Sequence, residues 1–293
     1  MKKVCLILSI IFFVYSPVFA ECDYTKYCTQ QPYNLSSGGS QLFSNLTGMT
    51  FLAEKITEAI INKELKKSTK QKFRTKVSSY SIQDLIKGKF QSFEISGKNL
   101  NLDDVYITSL KLNTLCSFNN IGLEKNLVIF KENMVMGFNI EISEEDLEKT
   151  INSAKYLKKV RELKLSNYGI TFFKLSDIDV EISDGKMYFV LEMTSPLASK
   201  TLLITVNTDL QVTDGRIYVT DLTLENKFAN LSMKKIAHIL NSLNPVSFSL
   251  NILENKDSKI YVNNVALVNN KVIINGVIFI PRNVKTKTER IFK

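Results

Sequence analysis

The sequence contains a single histidine and no tryptophan among its 293 residues. Because His238 is the only imidazole, a His-Glu-x-x-His zinc motif cannot form, and a Ser/His/Asp triad would have to use this one residue. Its spacing from Ile236 places it on the polar side of an expected helix. A Gly-x-Ser-x-Gly elbow and a phosphate-binding Gly-Lys-Ser/Thr loop are also missing. These absences favour a protein that is not an enzyme and has neither metal nor cofactor.

Acidic clusters offer the remaining route to a metal site or to acid–base catalysis. Asp177, Asp179 and Glu181 alternate with apolar residues, which predicts a strand with its carboxylates on the solvent face. Asp103-Asp104 is typical of a turn, and Glu144-Glu145 of a first helical turn. No carboxylate pair is spaced in a way that suggests a glycosidase, so a polysaccharide-acting enzyme is the least favoured class.

The first twenty residues resemble an export signal. Two lysines precede the apolar run Val4–Tyr15, and Ala20 occupies the cleavage position. We expect cleavage after Ala20; the alternative is an uncleaved anchor, since residues 4–20 are nearly long enough to span a bilayer. No later segment is that long and apolar, so the mature protein is expected in the periplasm or cell envelope.

Composition divides the chain into four parts. We expect a signal peptide at residues 1–20, a flexible leader at 21–47, one folded domain at 48–282 and a basic tail at 283–293. The leader contains Gln-Gln-Pro and Ser-Ser-Gly-Gly-Ser, which are turn and linker signals. Without the two signal lysines the formal net charge is +7, from 36 basic and 29 acidic residues. This charge favours anionic lipid headgroups or cell-wall polymers over nucleic acid as partners.

Three cysteines remain after the expected cleavage: Cys22, Cys28 and Cys116. In an oxidising compartment Cys22 and Cys28 could close a small loop, but either could pair with Cys116 instead. One thiol must be left over. A metal site would need more Cys or His than the chain provides.

The stretch from Met134 to Ile151 changes its hydrophobic period halfway along. Through Ile142, apolar residues alternate with mostly polar or small ones, which predicts a half-buried strand. Ser143-Glu-Glu-Asp then forms a capping box, and apolar residues recur at helical spacing. A strand is therefore expected to lead directly into an amphipathic helix. Their two apolar faces either cover each other or leave room for an apolar guest.

The remaining chain is expected to alternate short strands with helices. Helices are predicted at Phe51–Lys67, Ile82–Lys87, Ser143–Lys159 and Ser232–Leu243. Tight strand connections are predicted at Asp184-Gly185, Asp214-Gly215 and Asn269-Asn270, because both central residues of the favoured turn need positive φ. The expected fold class is α+β, with antiparallel strands.

Three segments resemble the LmeA-like phospholipid-binding family. From Ile82, a short helix ends in a Gly-Lys turn and is followed by strands with alternating leucines. Ser143-Glu-Glu-Asp-Leu begins a helix after an apolar strand. The run from Leu243 through Pro245 resembles the family's closing proline strand, and Val272–Val277 its Gly-ended hairpin. The resemblance covers Gly48 to Pro281.

Membership would imply a strongly curved antiparallel sheet wrapped around amphipathic helices, in an elongated TULIP-like architecture with an apolar groove. No catalytic residues come with the family. The side chains expected to line the groove are Phe93, Leu110, Leu112, Met134, Met136, Phe138, Ile140, Leu147, Ile151, Met187, Phe189 and Leu191. The same side chains could instead form an ordinary core.

The expected function is exported, non-enzymatic binding of phospholipid or another acyl lipid, with peripheral membrane contact and a possible role in lipid transfer or envelope maintenance. Each acyl methylene buried in a groove contributes about 0.8 kcal/mol. Lys70, Lys72 and Arg74 lie in a basic run and are expected to contact headgroups. The alternative is an exported envelope structural or assembly protein without a lipid ligand.

Overall fold

A computed structural model of the protein describes residues 24–124, 127–163, 165–168, 170, 173–195, 200–225, 232–254 and 256–287. The strands are β1 (Phe73–Ser78), β2 (Lys89–Phe90), β3 (Ser92–Leu102), β4 (Val105–Thr114), β5 (Asn119–Glu124), β6 (Leu127–Phe130), β7 (Met134–Ser143), β8 (Lys174–Ser183), β9 (Lys186–Ser195), β10 (Lys200–Thr213), β11 (Arg216–Leu224), β12 (Lys259–Val268), β13 (Lys271–Ile280) and β14 (Lys285–Lys287). The α-helices are α1 (Gly38–Leu46), α2 (Met49–Thr69), α3 (Ile82–Ile86), α4 (Glu144–Ile151), α5 (Ala154–Glu162), α6 (Met233–Leu243) and α7 (Pro245–Leu250). Short 3-10 helices lie at Thr25–Tyr27 and Leu165–Tyr168.

The strands form three antiparallel sheets. The six-stranded sheet has the order β1-β3-β4-β7-β13-β12, the second sheet β11-β10-β9-β8, and the small sheet β14-β6-β5-β2. Helix α4 contacts β4 and β8, and α7 contacts β4 and β11, so these helices join the first two sheets around one large apolar core. The predicted α+β class is confirmed. The sheets are not strongly curled; because the strands divide among three sheets, no single sheet has to bend around the helices.

The tight turns occur where the sequence predicts them. Asp184 and Gly185 join β8 to β9 with φ of 51° and 72°, and Asp214 and Gly215 repeat this geometry between β10 and β11. Asn269 and Asn270 likewise both have positive φ between β12 and β13. Paired positive φ matches the twist of the flanking strands.

The predicted change from strand to helix at Ser143 is confirmed. From Met136 onward, strand β7 alternates buried and half-buried residues, and the Ser143 hydroxyl accepts the Asp146 N–H at the start of α4. The predicted helix to Lys159 is divided in two. Ser143 caps the first part, and Ser153 caps the second by accepting the Tyr156 N–H.

The expected proline strand after Leu243 is wrong. Pro245 is instead the first residue of helix α7, and the Asn244 side chain accepts the N–H groups of Val246 and Ser247. Proline suits the first helical position because its missing N–H would be unpaired there anyway, and asparagine is a strong N-cap.

Of the pairings that the sequence leaves open, Cys28 forms the one with Cys116, and the possible small loop between Cys22 and Cys28 is not formed. The leader lies against the β4–β5 connection, which brings the two Cα atoms to 5.4 Å, a distance suited to a disulfide. Cys22 and the expected signal peptide lie outside the described residues.

The expected leader has structure of its own. It contains α1, and the Ser36 N–H and hydroxyl both donate to the Asp84 carboxylate, at 2.9 and 2.6 Å. At the other end of the chain, Lys285–Lys287 of the expected basic tail pairs with β6. Residues 288–293 lie outside the described part.

Candidate functional site

The twelve predicted groove residues converge in the core joining the six-stranded and second sheets. Eleven are at most 7% exposed, and the twelfth, Phe93, is half-buried and packs against the others' cluster. They come from β3, β4, β7, α4 and β9. The sequence therefore selected residues that do lie together, and in this arrangement they pack on each other.

Two cavities among the described residues lie elsewhere. An open depression of about 590 Å³ is lined by Pro32, Tyr80, Gln91, Ser92 and residues 114–117. A smaller cavity of about 80 Å³ lies beside Phe248. None of the twelve predicted residues lines either of them.

The most unusual surface is on the N-terminal helical pair, α1 and α2. Eight large apolar side chains of the pair are between 39% and 83% exposed. We call them the apolar surface; they are Leu42, Phe43, Leu46, Met49, Phe51, Leu52, Ile56 and Ile60. Scattered exposed apolar residues are normal in soluble proteins, but eight within nineteen residues are not.

Helix α2 turns its apolar stripe outward. The sequence correctly predicts a helix here, in which Leu52, Ile56 and Ile60 recur every four residues on one side. These three side chains are each more than half exposed, whereas Glu58 on the opposite side is only 9% exposed. The helix thus reverses the usual arrangement, in which the apolar stripe faces the core.

The inward side of α2 covers the edge of the six-stranded sheet. Glu54 Oε1 accepts the Ser79 N–H at 2.6 Å, and Glu58 Oε1 accepts the Val77 N–H at 3.1 Å. The Glu58 main-chain carbonyl accepts the Thr75 hydroxyl at 3.2 Å. An edge strand has N–H groups without a strand partner, and here two carboxylates take the partner's place. Such charge-assisted bonds contribute about 1.5–3 kcal/mol each.

The two carboxyl groups respond differently to this environment. Burial raises the pKa of Glu54 above its usual value, and the Ser79 N–H only partly offsets this effect. Burial also acts to raise the pKa of Glu58, but the hydrogen bonds from Lys55 Nζ and the Val77 N–H outweigh it and lower that pKa. Lys55 Nζ lies 2.7 Å from Glu58 Oε2.

Helix α1 has the same reversed arrangement. Its Ser44 hydroxyl is buried and accepts the Thr50 hydroxyl of α2 at 3.0 Å, while Leu42, Phe43 and Leu46 face solvent. The helices are separated by Gly48, whose φ of 72° ends the first helix and lets the second begin in a new direction. Small polar groups thus lie between the helices, and the large apolar groups lie outside.

The outer side of α2 becomes basic toward its end. Lys63 and Lys67 continue the Ile56 and Ile60 side by one and two turns, and Lys66 lies beside them; all three are exposed. The predicted headgroup residues Lys70, Lys72 and Arg74 follow and are also exposed. From Gly38 to Lys76 the sequence has eight basic and three acidic residues, a net charge of +5. Because Glu54 and Glu58 face the sheet, the outward charge is mostly positive.

The second sheet has the opposite charge. Between Lys174 and Glu225 the sequence has nine acidic and four basic residues, a net charge of −5. Asp177, Asp179 and Glu181 are exposed on β8, as the sequence predicts. The protein therefore carries a basic apolar region and a separate acidic region.

The sequence does not reveal the apolar surface. Helical periodicity identifies the apolar side of a helix, but it does not show whether that side faces the core or solvent. A signal was present in α2: Glu54 and Glu58 stand four residues apart, opposite the apolar stripe, as carboxylates must to reach one strand edge together.

The described residues contain no cluster of three His, Cys, Asp or Glu side chains able to hold a metal, and no helix long and apolar enough to cross a membrane. His238 is exposed on α6, on the side that the sequence predicts. No protein-family model, curated protein or solved structure matches the chain.

Proposed function

We propose that this protein is an exported, non-enzymatic lipid-binding protein that attaches to anionic membrane surfaces through its N-terminal helical pair. The observation that carries the proposal is the apolar surface, eight exposed side chains on two helices whose polar sides face the protein. Helices with one apolar and one basic region lie in the interface of a bilayer, with apolar side chains among the acyl chains and lysines near the headgroups.

The distribution of charge supports a membrane over a second copy of the chain. Two copies meeting through α2 in parallel would place Lys63, Lys66 and Lys67 against their own counterparts. An antiparallel arrangement would place these lysines against Leu52 and Ile56. An anionic bilayer accepts both halves of the helix, because its acyl region takes the apolar half and its headgroups take the basic half.

The headgroup residues predicted from the sequence belong to the same proposal. Lys70, Lys72 and Arg74 follow the basic half of α2 and are exposed. Reversing their three charges is expected to weaken binding to anionic vesicles, and unchanged binding would remove them from the contact surface.

The Cys28–Cys116 disulfide supports the export part of the proposal, because disulfides persist in oxidising compartments. An exported protein would meet the outer face of the inner membrane or another envelope membrane. Kinship with the LmeA-like family remains a prediction.

We extend the proposal to uptake of a whole acyl chain into a TULIP-like groove. The twelve groove residues form one apolar layer that joins β7, α4 and β9, but entry requires these elements to separate. Native mass spectrometry of the chain from Glu21, purified without detergent, tests this step. A stoichiometric phospholipid adduct supports a groove; a clean mass after incubation with mixed vesicles limits the protein to surface binding.

A paired substitution tests surface binding. Ile56 on α2 and Leu203 on β10 are 57% and 53% exposed, so Ile56→Glu and Leu203→Glu cause the same chemical change on different surfaces. Vesicle sedimentation with anionic lipid should show at least about tenfold weaker binding for Ile56→Glu, since burial of an isoleucine contributes about 1.5–3 kcal/mol. Leu203→Glu should bind like the parent chain. Equal behaviour of the two variants would contradict the proposal.

If the parent chain fails to bind any vesicle, the alternative function gains support, which is that of an exported envelope structural or assembly protein without a lipid ligand. The closed core and the apolar surface would then fit an envelope assembly protein whose helical pair packs against a protein partner.

A further inference from the structure

We infer that Glu54 and Glu58 are positioning residues that keep the apolar surface of the helical pair facing outward. The inference rests on the proposed function for its consequence, because an outward apolar surface is what would enter the membrane. Its own measurement needs no lipid. Neither residue is expected to touch a lipid, since both carboxylates are directed at strand β1.

The first step is the state of the β1 edge. Among the described strands, β1 pairs with β3 alone, so no described strand lies along its outer edge. The Val77 N–H on that edge, and the Ser79 N–H just beyond it, are bonded to Glu58 and Glu54 instead. The four-residue spacing of the two glutamates matches one helical turn, so one side of the helix reaches both groups.

The first half of α2 makes few other buried contacts with the described part of the protein. Buried apolar contact comes from Leu65, with help from the half-buried Ile61, and both lie in the second half of the helix. In the first half the buried side chains are Thr50, which bonds to Ser44, and Glu58 itself. The two carboxylate bonds, with the Thr75 hydroxyl bond to the Glu58 carbonyl, therefore attach the helix to the sheet between Met49 and Ala59.

The third step is the competing arrangement. Without the glutamates, the hydrophobic effect favours a roll of α2 about its axis, which would turn Leu52 and Ile56 toward the protein. That roll would leave the Val77 and Ser79 N–H groups without acceptors while the glutamates are still present, so it is opposed in the natural chain. Glu54 and Glu58 thus select the side of the helix that faces solvent.

The test compares two double variants. Glu54→Ala with Glu58→Ala removes both acceptors without placing a large apolar side chain on the inward side, whereas Glu54→Gln with Glu58→Gln keeps an oxygen at each position. Hydroxyl-radical footprinting measures the solvent exposure of Met49, Leu52 and Ile56, and amide hydrogen exchange measures protection at Val77 and Ser79. Glu64→Ala is the matched control, because Glu64 is an exposed glutamate on the same helix.

We expect the alanine pair to slow modification of Leu52 and Ile56 severalfold and to weaken anionic vesicle binding by about tenfold or more, although the apolar surface itself is unchanged. The glutamine pair and the Glu64→Ala control should resemble the parent chain in both measurements. Alanine-pair modification as fast as that of the parent would overturn the inference.

The outcomes separate this inference from the proposed function. Slower modification of Leu52 in the alanine pair, with no vesicle binding by the parent chain, would support the positioning role and reject the membrane role. If the alanine pair fails to fold, the single variants Glu54→Ala and Glu54→Gln decide, since each leaves the Glu58 bond in place. Equal Leu52 modification in these two single variants would then count against the inference.

Discussion

Apolar residues recur at regular spacing in both the N-terminal helical pair and the second sheet, but they face solvent in the first and the core in the second. In strands β8 to β11 the apolar residues at alternate positions face the core, and Val180, Phe189 and Val206 are nearly or fully buried. In the first half of α2 the apolar residues at helical spacing face solvent, and the buried positions hold threonine and glutamate. The segment from Gly38 to Lys76, which includes the helical pair and most of β1, carries a net charge of +5, and the segment from Lys174 to Glu225 carries −5.

The difference shows that backbone hydrogen bonding can decide which side of a helix is buried. Most N–H groups of the second sheet are bonded within its own strand pairs. Hydrophobicity alone can therefore decide which of its side chains are buried. Helix α2 lies along a strand edge whose N–H groups need acceptors, and it supplies Glu54 and Glu58. An apolar side chain in the same place would leave these groups unpaired, at about 1–3 kcal/mol each.

The largest expected contrast concerns stability. Phe189→Ala in the second sheet should lower the free energy of unfolding by about 3–5 kcal/mol, because it leaves a cavity in the core. Ile56→Ala on the helical pair should change it by less than about 0.5 kcal/mol, because the side chain is exposed. Urea denaturation measures both. A large loss for Ile56→Ala would show that this residue is buried and would remove the contrast.

The disulfide should affect the N-terminal region more than the second sheet. Replacing Cys28 and Cys116 with serine is expected to lower the free energy of unfolding by about 2–5 kcal/mol, since the bond closes a long loop. Hydrogen exchange should rise in the leader and α1 and remain unchanged in β9 and β10. Cys22→Ser, which leaves the bond intact, is the control. Equal changes in both regions would contradict this expectation.

Charge removal should weaken membrane binding only on the basic side. Substituting Lys63, Lys66 and Lys67 with glutamine should weaken binding to anionic vesicles about 100-fold at low salt, at about 1 kcal/mol for each lysine. Lys174→Gln with Arg216→Gln, on the second sheet, should have little effect. Vesicle sedimentation at two salt concentrations measures this, and equal losses would show that binding follows total charge.

The smallest expected effect is a response to pH at the β1 edge. The raised pKa of Glu54 means that the folded chain binds a proton more readily than the unfolded chain, so stability should increase as pH falls toward 4.5. The lowered pKa values of Glu58 and Asp84 act in the opposite direction at still lower pH; burial opposes this lowering, but hydrogen bonds to each carboxylate outweigh it. Urea denaturation of Glu54→Gln should lack the first increase, and an unchanged profile would contradict the assignment.

Local sequence patterns predicted the strands, helices and turns well, but they predicted the contacts between distant elements less well. The Asp-Gly and Asn-Asn turns, the strand from Met134 and the cap at Ser143 depend on neighbouring residues, so the sequence shows them directly. The twelve core residues were found for the same reason, since period and hydrophobicity identify buried faces.

The direction of α2, the partner of Cys28 and the helix at Pro245 depend on more distant contacts or on competing local signals. The bond to Cys116 spans 88 residues of sequence, and the glutamate acceptors matter only because β1 lies at a sheet edge. A resemblance based on apolar patterns could not supply these contacts. The site that best supports a function therefore lies outside the twelve residues that the sequence predicts to line a groove.

The position of β13 between β7 and β12 has a consequence for the order of folding. Strand β7 begins at Met134, but its neighbour β13 begins only at Lys271, and Asn139 and Asn275 meet across 136 residues of chain. Such long-range pairing is slow to form. During synthesis, one edge of β7 stays unpaired while the local hairpins of β8 to β11 form, so a chain that ended before β13 would expose the edge of a largely apolar strand to aggregation.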